Sequence, residues 1–149
     1  MYFKPKNPDS LVAWRNTWIN YILSYAQQRN IHVINLTDLR REHPFNKMDV
    51  EAFEDLINSL IDKGFGMWWG KSKKEVRIYW RSLERWAEEL VQLAKDKEKL
   101  VIIGTKDLTL LEPKLTTMPK RDLEEILNIM VQREHAHWIN KYKKIIKLE

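Results

Sequence analysis

Between Phe53 and Ile61 apolar residues recur at steps of three and four: Phe53, Leu56, Ile57, Leu60 and Ile61. That spacing gathers them on one face of a helix that lies on a core. Lys63 and Gly64 then end the helix, with a cation at the C-terminal dipole and a residue free to take positive φ. Beyond Gly64 the period falls to two. Met67 to Trp69 and Val76 to Trp80 read as strands. In the second, Val76, Ile78 and Trp80 alternate with Glu75, Arg77 and Tyr79, which predicts one buried face and one wet face. The polar link between them holds Gly70 and three lysines, as a hairpin loop should.

Upstream, Met1 to Asp9 has no helical period and reads as an extended arm. Ser10 predicts an N-cap, and Leu11 to Arg29 a long helix with Trp14, Trp18, Ile22 and Tyr25 along one stripe. Ile31 to Ile34 reads as a short strand. Thr37 opens a short helix running to Glu42, which Pro44 ends. Residues 46–49 open the central helix. Helix, strand, helix, helix and hairpin in that order make a complete winged helix.

The unit occurs twice. Leu123 to Leu148 lies over Phe53 to Ile78 without a gap, pairing Leu56 with Ile126, Ile61 with Val131, Trp68 with Trp138 and Val76 with Ile146. Val33 to Leu39 matches Ile102 to Leu108. Position after position keeps its physical type, so the chain reads as an internal duplication of one small fold. Only Arg81 and Ser82 separate the strand ending at Trp80 from a helix over Leu83 to Lys97, a joint too short to be a flexible linker. The second copy continues with a strand at Leu100 to Ile103, a short helix from Thr105, a helix from Pro119 to Glu134 and a hairpin from Ala136 to Leu148. The expected architecture is α+β, mostly α: two tandem winged-helix domains in a rigid elongated arrangement. The divisions are an arm over 1–9, a first domain over 10–81 and a second over 82–149. Trp18, Leu56, Leu60, Trp80, Trp86, Ile126, Met130 and Trp138 are the expected core.

The chain has 149 residues, among them seven tryptophans and no cysteine. A domain of about 70 residues is near the low end of what one core stabilises, and tryptophans supply large buried area. Without cysteine there is no disulfide framework and no thiolate metal site. The apolar runs are too short to span a membrane and no signal-peptide core opens the chain, which predicts a soluble intracellular protein.

Candidate chemistry is sparse. Gly66 to Ser72 invites a phosphate-loop reading, but that motif needs four residues between its glycines and a strand-to-helix passage. Gly66 leaves three before Gly70 and Gly64 leaves five, within a helix-to-strand context. His135 and His137 share a strand face, with Glu134 the one further ligand nearby, too few for a metal. No nucleophile elbow, HExxH or dinucleotide loop is present. The expectation is no enzyme activity, no catalytic residue, no metal and no cofactor.

The net charge of +5 raises nucleic acid as a partner, and many winged helices read DNA with the third helix. Here that helix carries Asp49, Glu51, Glu54, Asp55 and Asp62, with Lys63 alone basic at its end. Carboxylates repel phosphate and release no counterions. The positive charge sits on the wings, at Lys71, Lys73, Lys74 and Arg77, and again at Lys141, Lys143, Lys144 and Lys147. A tandem winged-helix DNA-binding transcription regulator is therefore the second reading, and no specific nucleic acid partner is expected.

The stretch from Trp68 to Leu90 resembles the small subunit family of ESCRT-II. The matching residues are Gly66, Trp68, Lys71 and Lys73 of the loop, the strand ending at Trp80, then Arg81, Glu84 or Arg85, Trp86 and Ala87. An aromatic–proline arm ahead of a helix with Trp14 and Tyr25 fits as well, although the arm holds only Tyr2, Phe3 and Pro5 where the family often has paired prolines. The resemblance implies a non-enzymatic adaptor, cytoplasmic and peripheral at membranes through its complex. Its arm, at Tyr2, Phe3 and Pro5, and its first domain would dock on the larger ESCRT-II winged-helix subunits. Its second domain would take the basic N-terminal helix of an ESCRT-III subunit. On α-helical spacing, Asp122, Glu125, Ile129 and Arg133 lie beside the core stripe of Leu123, Ile126, Leu127, Met130 and Val131. Ile129 replaces Ser59 of the first copy, so these four are the expected helix-binding face.

Overall fold

The computed structural model describes residues 2–97 and 101–149. They form two compact units, Met1–Trp80 and Arg81–Glu149. The first holds α1 (Pro8–Arg29), β1 (Val33–Asn35), α2 (Leu36–Arg41), a 3-10 turn (Phe45–Lys47), α3 (Val50–Asp62), β2 (Gly66–Trp69) and β3 (Glu75–Ile78). The second repeats that order with α4 (Leu83–Asp96), β4 (Ile102–Ile103), α5 (Thr105–Leu111), a 3-10 turn (Pro113–Leu115), α6 (Lys120–Gln132), β5 (Ala136–Asn140) and β6 (Ile145–Leu148). Each sheet is antiparallel, with the hairpin's second strand in the middle: β1-β3-β2 and β4-β6-β5. Registers correspond as well, with Trp68 opposite Val76 and Trp138 opposite Ile146. The fold is α+β and mostly helical, a tandem of winged helices.

Element ends follow from capping chemistry, and several move from their expected places. α1 begins at Pro8, because the Asn7 side chain accepts from the backbone N–H groups of Asp9 and Ser10. Pro8 has no N–H to satisfy at that position, so Ser10 lies inside the helix and the arm ends at Asn7. α2 is capped by Asn35, which accepts from Asp38 N at 3.1 Å, and not by Thr37. Asp49 caps α3 through Ala52 N at 2.8 Å, and Ser82 caps α4 through Arg85 N at 3.1 Å. Each such cap is worth about 1 kcal/mol. Of the expected strand Leu100 to Ile103, Leu100 lies outside the described residues.

Two glycines are dictated by geometry. Gly64 closes α3 at φ 84°, a conformation that side chains resist. At Gly66 a Cβ would meet the Arg77 carbonyl oxygen at 3.1 Å, so β2 lies close against β3. The second copy places Glu134 at φ 62° and Ala136 at the equivalent points.

In the first unit Phe45 is the hub of the core. Its ring lies 5.7 Å from those of Tyr21 and Tyr25, 6.0 Å from Trp18 and 6.5 Å from Phe53. Trp18, Leu56, Leu60, Trp86, Ile126 and Met130 are buried as their spacing predicts. Trp80 and Trp138 are only half-buried. Trp80 stacks on His32 at 5.3 Å and donates through Nε1 to the Ile31 carbonyl, so its polar edge holds it at the rim. Trp138 lies beneath the Lys144 ammonium, 5.4 Å away.

Arg77 departs furthest from its expected place. It is 1% exposed, and its guanidinium donates to the carbonyls of His32 and Ile78 and lies over the Tyr79 ring. It is a structural cation under the first sheet and adds no charge to the wing. Strict alternation predicts a wet side chain there, but the carbonyls that accept from Nη1 and the Tyr79 ring hold a long one brought inside.

Candidate partner-binding site

The arm is tied to its own domain at two points. The Tyr2 ring rests 6.0 Å from Trp18, in a small hollow formed with Thr17, Tyr21, His43 and Pro44. The Lys4 ammonium is 2.9 Å from Asp55 and 3.7 Å from Glu51. Phe3, between them, is 75% exposed. Beyond it Pro5, Lys6, Leu11, Glu51 and Ala52 border a shallow cleft against the start of α3. The three arm residues read from the sequence thus divide: Tyr2 is spent on the domain, Pro5 is half-buried in the wall of the cleft, and Phe3 faces outward.

Asp55 is the anchor. Its two carboxylate oxygens accept from Arg15 Nε and Nη2, both at 2.7 Å, a bidentate pair across α1 and α3. Ser59 Oγ donates to it at 3.2 Å. The Arg15 hydrogen bonds hold the Asp55 carboxyl well below the usual carboxylate range, against the opposing effect of its burial, and Lys4 adds to the depression. Arg15 and Lys4 are correspondingly raised, each first by its hydrogen bond to Asp55. From the end of α3 Lys63 Nζ donates to Oδ1 of Asn16, the residue after Arg15 on α1. The carboxylates that α3 would press on DNA are partly consumed here. Sequence reading places Asp55 only among the acids of the third helix and does not single out Lys4 or Arg15, because their meeting spans 40 residues and more and leaves no local periodicity.

The second unit corrects the expected helix-binding face. Glu125 and Arg133 are exposed, but Ile129 is 6% exposed and Asp122 is 4% exposed. Arg133 Nη1 is 2.7 Å from Glu88 Oε1 on α4. Ile129 lies one turn before Arg133 on the same side of α6, so it points at α4. Asp122 and Ile129 thus widen the buried face of α6 beyond the Leu123-to-Val131 set, while Glu125 and Arg133 border it. Glu125 is engaged by Asn128, whose Nδ2 donates at 3.1 Å.

The junction residues that carry the resemblance form a cluster of their own. The Arg81 guanidinium lies 4.3 Å over the Trp86 ring and pairs with Glu89 at 2.8 Å. At the end of the chain His137 Nδ1 and Glu149 Oε1 are 2.7 Å apart. Among the described residues no three His, Cys, Asp or Glu side chains gather as metal ligands. No helix among them is long and apolar enough to cross a membrane.

Comparison with known proteins gives the same picture. The family model described as ESCRT-II complex subunit matches residues 2–112. Vacuolar protein-sorting-associated protein 25 of Xenopus laevis is 26% identical over 92 residues, which are 58% of this chain and 53% of that protein. Its Danio rerio counterpart is 28% identical over 92 residues with the same coverage. The match thus spans about half the length of these curated relatives. The crystal structure of subunit VPS25 of the endosomal trafficking complex ESCRT-II superposes with a TM-score of 0.74 at 18% identity, over 99% of this chain and 93% of that one. A chain of the crystal structure of endosomal complex ESCRT-II (VPS22/VPS25/VPS36) gives 0.70 at 17% identity with the same coverage. These likenesses show the shared fold, and the family match covers well over half of the sequence. The chain belongs to the ESCRT-II complex subunit family, among the relatives of vacuolar protein-sorting-associated protein 25.

Proposed function

We propose that the chain is a non-enzymatic adaptor of an ESCRT-II complex, docking on the larger winged-helix subunits through its arm and first domain. The observation that carries this reading is the division of the arm. Tyr2 and Lys4 are pinned to α1 and α3, so Phe3 is presented on a fixed strip beside a cleft that Pro5 helps to line. An aromatic side chain held ready for a pocket loses little freedom on binding, and such residues are frequent hot spots. The relatives' place in a complex with VPS22 and VPS36 supports the same class of partner. The second domain is assigned to the basic N-terminal helix of an ESCRT-III subunit, with the exposed Glu125 and Arg133 as contacts, and Asp122 and Ile129 setting the position of α6 from beneath. The complex as a whole is then peripheral at the membrane.

Co-purification of the full chain with the larger subunits tests the reading. Phe3→Asp is expected to lower recovery of the partner at least about tenfold with an unchanged melting temperature. Tyr2→Ala instead lowers the melting temperature. Full recovery with Phe3→Asp sinks the arm assignment. Glu125→Arg serves as the control that leaves this docking intact while weakening a basic helix peptide measured by calorimetry.

A further inference from the structure

The hairpins of the two domains share a register as far as Trp68 and Trp138, beyond which the second is shifted by one residue at Ile139, and they differ at the tip. The first wing turns through Gly70, Lys71, Ser72 and Lys73, all exposed. The second turns through Lys141, Tyr142, Lys143 and Lys144, and Tyr142 is 95% exposed. The turn is tight and ordered: Asn140 Oδ1 accepts from Lys143 N at 3.0 Å. Behind the tip Ile139 is 50% exposed. From Ala136 to Leu148 the hairpin carries four lysines and no acid.

We propose that the second wing is a docking point for an anionic phospholipid bilayer. A tyrosine ring at the apex of a basic turn matches the interfacial zone, where an amphipathic ring sits at headgroup depth. Lysines on either side stay in water and draw the tip to negative headgroups. Ile139 follows the ring into the boundary region. A nucleic acid strand is the poorer match. Base stacking needs an open aromatic platform in a basic groove, and the other wing aromatic, Trp138, has its face under Lys144. Tyr142 stands alone on a convex tip. The contact belongs to this chain and does not depend on its assembly partners.

Flotation of the full chain with vesicles of phosphatidylcholine holding about one third phosphatidylserine tests the proposal. The chain is expected to float with these vesicles, to stay behind with pure phosphatidylcholine, and to lose binding as salt rises to about 0.5 M. Lys141→Glu with Lys143→Glu is expected to reduce partition about tenfold or more. Tyr142→Ser, which keeps the charge, is expected to reduce it about threefold. The first-wing control, Lys71→Glu with Lys74→Glu, makes the same change in net charge and is expected to leave most of the binding. All four substituted residues of the second-wing and control pairs are exposed, and thermal melts verify folding. An equal loss in the control, unchanged partition with Tyr142→Ser, or tighter binding to random duplex DNA than to the vesicles overturns the proposal.

Discussion

The two domains answer one packing problem in two ways. In the first, α1 and α3 are joined by a polar clasp in which Arg15 and Lys4 converge on Asp55, with Ser59 beneath. In the second, the residue equivalent to Ser59 is Ile129, and it is buried. The cores differ in the same direction. Phe45 anchors a cluster of aromatic rings in the first, while its counterpart in the second is a buried aliphatic residue, Leu115. Both keep one link, since Lys63 reaches Asn16 and Arg133 reaches Glu88 at the corresponding helix ends. A helix seam can thus be closed by an ion cluster or by apolar burial without disturbing the fold. The polar solution also brings in the arm, because Asp55 holds Lys4. The apolar one leaves the rest of α6 and the wing for other contacts.

Exchanging the two solutions is the strongest way to break this comparison. Ile129→Ser puts the first domain's residue in the second domain's seam, without the ion cluster that uses it. It is expected to cost about 3 kcal/mol, from lost transfer energy and a residual cavity, read as a lower midpoint in urea. A cost near zero would mean that the α4–α6 seam is not held by that side chain.

Asp55→Asn attacks the clasp from the other side. Losing the charged acceptor of two partners is expected to cost about 2 kcal/mol at neutral pH. The sign with pH follows from the depressed carboxyl. A group whose folded pKa lies below its unfolded one stabilises above the unfolded pKa, about 3.9 for aspartate, and that stabilisation is lost as pH falls through the folded pKa. The difference between native and variant is therefore expected to hold from pH 7 to about 5 and to shrink below about 4. A difference that grows on acidification would contradict the geometry. The same variant frees the arm, so tryptic cleavage after Lys6 is expected to speed up.

The smallest expected effect is a gain. Glu134 occupies the left-handed position that Gly64 fills in the first domain. Glu134→Gly is expected to stabilise the second domain by about 1 kcal/mol, seen as a small rise in denaturation midpoint.

The periodicities carried much of this. The three-and-four spacing from Phe53 to Ile61, the alternation around Val76 and Ile78, and their recurrence at Ile126 and Ile146 specify helices, hairpins and a duplication before any coordinate is known. They do so because helix and strand periods are local and each apolar face must find a core. Capping is local too but less legible, since Asn7 and Asn35 cap the helices that Ser10 and Thr37 are expected to open. What only the tertiary structure decided was which polar and apolar side chains beside those stripes are claimed by a neighbouring element. Arg77 lies inside because the carbonyls of His32 and Ile78 accept from it. Asp55 is an anchor because Arg15 and Lys4 fold back onto it, and Ile129 is buried because α4 lies against it. In each case the deciding partner is a packed neighbour or a chain end brought back, whereas hydropathy along the chain reports only a residue's own helix or strand.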